Sequence, residues 1–452
     1  MSTNYTFIER DEFQRKEIAE KAIKLLQSDI EISPMVIDGH WGTGKTEFCH
    51  KLINLMAEDD THHLLYIDAF KADHADEPLL TVLAEVIKLL PNENTRQRFI
   101  KKILPATRFG LKVIAKASAA HLLRQDTADM LNDFDKDIQK TADKVIDSSV
   151  ESLLKDHVKA DESLTSLQAA LKEISDEKPI VIFIDELDRC RPNFSVHMLE
   201  VIKHTFDVDG VQFVLVTNTQ QLKASINHCY GSSVDAQKYL DKFLKFTLSL
   251  PSELKNRREY HSLVSSEHYK NLVNNSEHLK YFELLTSSYY EPIHDLIKIN
   301  KLSLREVESF IRNLNIYQVI TNDKGFDSNI IYGYKIIRLI SIFLFTIHPD
   351  MAYNIIKNTI SVDELANFFG VNKTISTEKR FPDRLQVIFI LLAQDSDISS
   401  EKILLPSSQE ENQYWEDIFQ RYFSGDYWRS SNESKRYLTI AKEAITHINL
   451  GN

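Results

Sequence analysis

The stretch that decides the fold reads Met35-Val-Ile-Asp38-Gly39-His40-Trp41-Gly42-Thr43-Gly44-Lys45-Thr46. Residues Gly39 to Thr46 fit G-x-x-x-x-G-K-S/T, the pattern of a phosphate-binding loop. An apolar run precedes the loop, and Phe48, Leu52, Ile53 and Met56 follow it at helical spacing, so strand, loop and helix are predicted in the required order. Glycine lets backbone N–H groups curl round phosphates with no Cβ in the way, and the helix that follows presents its positive end. The chain has eleven glycines in 452 residues and three of them fall here, which makes a chance match remote. Lys45 would add a point charge, and the Thr46 hydroxyl an oxygen ligand for Mg²⁺. Trp41 reads either as a packing residue or as a nucleotide contact.

Working outward, Pro179-Ile-Val-Ile-Phe-Ile-Asp185-Glu186-Leu-Asp188-Arg189-Cys190 places acids at the end of a five-residue apolar run. Such a run predicts a buried parallel strand. Asp185 at its C-terminal edge would face the loop and hold Mg²⁺, and Glu186 would polarise the attacking water. Asp188 and Arg189 read as a local ion pair or as residues reaching a neighbouring subunit. A further strand, Val211–Val216, ends in Thr217-Asn218-Thr219, where a small polar side chain either senses the γ-phosphate or caps the strand. With His63–Phe70 as another strand, the alternation of strands and helices predicts an α/β fold with a doubly wound parallel sheet.

Composition narrows the class. At 452 residues the chain predicts more than one core. Three cysteines, Cys49, Cys190 and Cys229, form no C-x-x-C pair and point to a reducing cytoplasm. No secretory leader is visible, and the apolar stretch Ile336–Ile347, interrupted by Arg338, is short of the roughly 20 residues a membrane span needs. A net charge of −12 weighs against a dedicated nucleic-acid surface. Sixteen histidines, including His62, His63 and His74, show no ligand spacing.

Taken together, these segments resemble the KAP family of P-loop NTPases. The likeness lies in the loop G39-H-W-G-T-G-K-T46, in Asp68-Ala-Phe-Lys71 followed by Glu77-Pro78-Leu79, in the box Ile184–Cys190, and in Tyr239-Leu-Asp-Lys242-Phe followed by Leu250-Pro251. Arg10-Asp-Glu-Phe-Gln-Arg15 is similar to the Asp-x-x-x-Arg lead-in of such proteins. The likeness covers roughly residues 7 to 315. It implies an ATPase of the additional-strand class, commonly part of bacterial multi-protein systems that include defence against phage and plasmids. Many members carry transmembrane helices between the two boxes, whereas this chain has a charged stretch with Arg108, Lys112 and Lys116 in its most apolar part. The family commonly has a second Asp where this chain has Glu186, and an Asp-Arg pair where it has Asn218-Thr219. Lys242 and Arg305 look like family positions from which a basic side chain reaches the γ-phosphate. Arg305 equally reads as a solvated residue of an amphipathic helix with Val307, Phe310 and Ile311.

The expected organisation is a P-loop core over 1–250 with a helical insertion at about 78–175, a helical lid over 251–330, and a helical C-terminal region over 331–452. Within the insertion, Ile138, Ala142, Val145, Ile146, Val150 and Leu153 recur at helical spacing. Aromatic segments at Tyr281 and at Gln413–Phe419 suggest a protein-binding surface or core packing. The expected catalytic residues are Glu186, Lys45 and Arg305, and the expected metal ligands Thr46 and Asp185. Expected nucleotide contacts are Gly39, His40, Trp41, Gly42, Thr43, Gly44, Lys45, Thr46 and Glu47, with Asn218 and Lys242. ATP and Mg²⁺ are the implied ligands. The leading expectation is a cytoplasmic ATPase acting as a switch or remodelling enzyme, self-assembling or working with partner proteins encoded nearby. The alternatives are a nucleic-acid motor or loader, and a scaffold that holds nucleotide without turnover.

Overall fold

The computed structural model describes residues 5–103, 162–255, 261–327, 330, 332–371, 383–398, 409–410, 413–415, 417 and 437–450. Arg108, Lys112, Lys116 and the helical pattern from Ile138 to Leu153 lie outside these residues. The chain divides into two compact units, Met1–Leu250 and Pro251–Asn452.

In the first unit, five parallel strands form one sheet: β1 (Met35–Asp38), β2 (His63–Asp68), β3 (Ile180–Asp185), β4 (Val211–Thr217) and β5 (Phe246–Ser249), in the order β2-β3-β4-β1-β5. The register sets Asp38 beside Thr217 and Asp185 beside both Asp68 and Val216, so the polar ends of the strands share one edge. β4 stands between β1 and β3, and its last residue therefore falls between the phosphate loop and the acidic box. Strands of this kind are buried on both faces, which is why β3 reads as an unbroken apolar run.

Alternate residues of each strand feed separate cores, as the two-residue period requires. Val36, Ile180, Ile182, Ile184, Phe213 and Leu215 pack on one face with the helices Pro78–Lys88, Pro192–Thr205 and Thr219–Tyr230 and with helical residues 162–177. Met35, Ile37, Val181, Phe183, Val214 and Val216 pack on the other face with Lys16–Leu26 and Lys45–Ala57. Residues Pro78–Lys88 and 162–177, expected in an insertion, are thus part of the layer that covers the sheet; Val82, Leu83, Val86, Leu167 and Leu171 make that contact.

Among the described residues the second unit is mainly helical, with a short antiparallel pair, β6 (Glu253–Lys255) and β7 (His261–Leu263). One apolar core runs from Tyr269 to Ile448, so residues on both sides of position 330 share it. At its centre Phe310 stacks on Tyr269 at 5.9 Å and meets Phe343 edge-on at 5.0 Å. The apolar stretch around Ile336–Ile347 forms the helix Tyr332–Ile347, buried in this core. Trp415 is fully buried there as well, which assigns it to packing, while Tyr281 is exposed. Among the described residues no helix is long and apolar enough to cross a membrane.

Candidate functional site

The phosphate loop leaves β1 at Asp38, whose carboxylate accepts from the backbone N–H of Thr219 at 2.9 Å, fixing the strand end to the helix that follows β4. Gly42 and Gly44 have φ of 75° and 78°, a left-handed backbone that disfavours any side chain. At Gly39 the constraint is space, since a Cβ there would meet Thr43 Oγ1 at 2.7 Å. Thr43 Oγ1 donates to the His40 carbonyl at 2.8 Å. Lys45, at the head of the helix Lys45–Ala57, folds back so that Nζ donates to the carbonyls of Gly39 at 2.6 Å and His40 at 3.1 Å. Its side chain is buried, and that desolvation holds its pKa below the usual lysine range against the pull of Asp188, Asp185 and Asp38.

Asp185 ends β3 as a buried carboxylate held by two hydrogen-bond donors. The Tyr66 hydroxyl donates at 3.1 Å and the Glu186 backbone N–H at 2.8 Å, and the Thr46 hydroxyl is near enough to favour the charged carboxylate. Burial nevertheless pushes the Asp185 pKa up, while those donors and the Lys45 charge oppose the rise. Thr46 and Asp185, expected as a pair of metal ligands, are therefore neighbours beside the loop. Their hydroxyl and carboxylate oxygens are the donor type that a hard divalent cation takes.

Glu186 sits where the chain turns away from β3, with φ 60° and ψ 24°, in the left-handed region that non-glycine residues seldom occupy. Its N–H bonds the Val216 carbonyl at 3.2 Å, which ties the strained turn to β4. Its carboxylate pairs with Arg189 Nη2 at 3.1 Å, so Arg189 is an ion-pair partner of Glu186 rather than of Asp188.

Asp188 accepts from the Trp41 indole N–H at 2.5 Å through one oxygen and from the Thr217 hydroxyl at 3.0 Å through the other. Trp41 is therefore fixed by its ring nitrogen although the residue is half-exposed. Asn218, also buried, uses its side-chain oxygen to cap the helix Thr219–Tyr230 through the N–H of Gln220. Glu47 pairs with Lys51 at 2.8 Å, one turn into the loop helix. Beside Gly44 and Glu47, Arg15 and Phe13 line a narrow cleft. Desolvation lowers the Arg15 pKa to about 10.

One expected residue of the first unit lies away from this group. Lys242 lies before β5, at the opposite edge of the sheet from the phosphate loop. There it lines a cavity with Pro34, Phe206, Gly210 and Lys245, its carbonyl accepts from Lys203 Nζ, and its ammonium rests over the Tyr239 ring. A parallel strand places the residues before and after it at opposite edges, so a γ-phosphate role for Lys242 is corrected by topology. Arg305 belongs to the second unit, in the first turn of the helix Leu304–Ile320, which Ser303 and Glu306 close with a reciprocal capping box. Tyr66 was missed as a site residue. It stands two residues before the end of β2 and carries no local motif, and only the register of β2 on β3 brings it to Asp185.

No curated protein matches the chain. A family model described as the KAP family P-loop domain matches residues 15–321, more than half of the chain. That span takes in the phosphate loop, the acidic box and Arg305, and the match agrees with a parallel sheet in which one strand separates the two boxes. The chain belongs to the KAP family of P-loop NTPases.

Proposed function

We propose that this chain hydrolyses ATP with Mg²⁺ and uses the cycle as a switch or remodelling ATPase. The observation that carries the reading is the buried Asp185 at the end of β3, near the Thr46 hydroxyl and beside a glycine-formed loop, with Glu186 next in sequence. The loop's N–H groups and the head of the helix Lys45–Ala57 suit an anionic phosphate chain. Bound Mg²⁺ would neutralise phosphate charge that develops during transfer. Lys45, released from the carbonyls of Gly39 and His40, would turn its charge to the phosphates. Glu186 would take the proton of the attacking water, and Arg305 is proposed, on residue type and family position, as the guanidinium that stabilises the transferring group.

The test is phosphate release from ATP by the purified chain beside Glu186→Gln, with nucleotide binding measured on both. Loss of turnover by about 100-fold or more with binding retained supports the assignment, since a general base contributes about 10²–10⁴. Equal turnover in the two proteins would sink it. Particle mass with and without nucleotide tests self-assembly. A role in a bacterial multi-protein system, with defence against phage as one such role, is proposed from family likeness; protection of a host that persists with Lys45→Ala or Asp185→Asn would refute it.

A further inference from the structure

Within the acidic box, Asp188 makes the connection that no local motif accounts for. It is 8% exposed, and its two oxygens are held by donors from two different elements. Trp41 is the third residue of the phosphate loop, and Thr217 ends β4, the strand that separates the loop from the box. One carboxylate thus fastens the loop to the strand end beside it and to the turn that carries Glu186 two residues earlier. Packing does not explain the place of Trp41, a residue that is 47% exposed. A charge-assisted bond from its N–H does, and such bonds are roughly twice as strong as neutral ones.

We infer that Asp188 is a positioning residue for the nucleotide reaction: by holding Trp41 and Thr217 at once, it sets the phosphate loop relative to the turn of Glu186. The inference rests on the ATPase reading above. Transfer chemistry is sensitive to such placement, because a misplacement of about 1 Å can lower a rate by about 10². The hydrogen bonds of Lys45 and Thr43 are internal to the loop and do not set its place on the sheet; Thr46, at the loop's end, lies near Asp185.

The experiment compares the full chain with Trp41→Phe, Thr217→Val, Asp188→Asn and Asp188→Ala, reading kcat, KM, affinity for a non-hydrolysable ATP analogue, and melting temperature. Trp41→Phe removes the N–H and keeps a ring, and is expected to lower kcat by about tenfold, the effect of losing one charge-assisted bond, with the melting temperature unchanged. Asp188→Asn can still accept from Trp41 and donate to Thr217, so it should recover most of the activity that Asp188→Ala loses. The double variant Trp41→Phe/Thr217→Val should lose less than the product of the two single losses, because both donors act through one carboxylate. Wild-type kcat and affinity in both Trp41→Phe and Asp188→Ala would overturn the inference, as would losses that follow the melting temperature alone. If the unaltered chain binds ATP without turnover, the ATPase reading fails separately. Affinity then decides: binding of the analogue about tenfold weaker in Asp188→Ala sustains the positioning role, and equal binding ends it.

Discussion

Glu186 and Arg189 form an ion pair at 3.1 Å inside a single turn, with the carboxylate largely shielded and the guanidinium about one-third exposed. The pair aims the carboxylate that is proposed to take the proton. Arg189→Gln is therefore expected to lower kcat severalfold while leaving nucleotide affinity within about threefold, in line with the modest strength of a part-exposed pair. Single-turnover phosphate release and equilibrium binding, run side by side, check this. A fall in affinity with kcat unchanged would assign Arg189 to binding instead.

Asp185 gives a pH signature. Burial raises its pKa in the folded state above the unfolded value near 3.8. The fold then holds the proton more tightly than the unfolded chain does, so this group's favourable contribution exists at low pH and is lost as pH rises through the folded pKa. At neutral pH the buried charge opposes folding of the nucleotide-free protein. Asp185→Asn should accordingly melt higher than the parent at pH 7, with the difference shrinking toward pH 4, and should lose Mg²⁺-dependent turnover. Melting curves across that range decide it, and a variant that melts lower at pH 7 would contradict the sign.

Lys242 supplies a control drawn from topology. Because it lies at the far edge of the sheet, Lys242→Ala should leave affinity for ATP within about twofold of the parent, whereas Lys45→Ala should abolish tight binding. Titration of both variants with a fluorescent ATP analogue separates the two lysines, and a marked loss in Lys242→Ala would return it to the site.

Among the described residues of the second unit, one buried amide lacks partners. Gln318 is fully buried, and among the described residues neither its side-chain nitrogen nor its oxygen has a hydrogen bond. Replacing such a group with an apolar one of similar shape removes a desolvation penalty of about 1–3 kcal/mol. Gln318→Met should raise the denaturant midpoint of the second unit's transition, and a lowered midpoint would show that the amide has a role in this core.

What the sequence made legible was local. The phosphate loop, its helix and the strand before the acidic box follow from residues within a few positions of one another, and Gly42 and Gly44 carry their left-handed backbone in their identity. What it hid depends on register and strand order. Tyr66 reaches Asp185 across 119 positions, and Trp41 reaches Asp188 across 147, with no pattern of residue types to mark either contact. Lys242 shows the same limit from the other side, since a family-like neighbourhood placed it near phosphate while the direction of β5 put it at the opposite edge. The Asn218 amide was ambiguous for a further reason: capping and sensing ask for the same small polar residue at the same strand end.

The left-handed backbone at Glu186 sets selection for a robust fold against selection for chemistry. A non-glycine residue held there costs about 1 kcal/mol or more, and glycine would relieve it. Improvement of this protein by thermal screening alone is thus expected to favour Glu186→Gly, a change that hardens the scaffold and silences the proposed base. Any programme that ranks variants by melting temperature needs turnover as a second filter at this position.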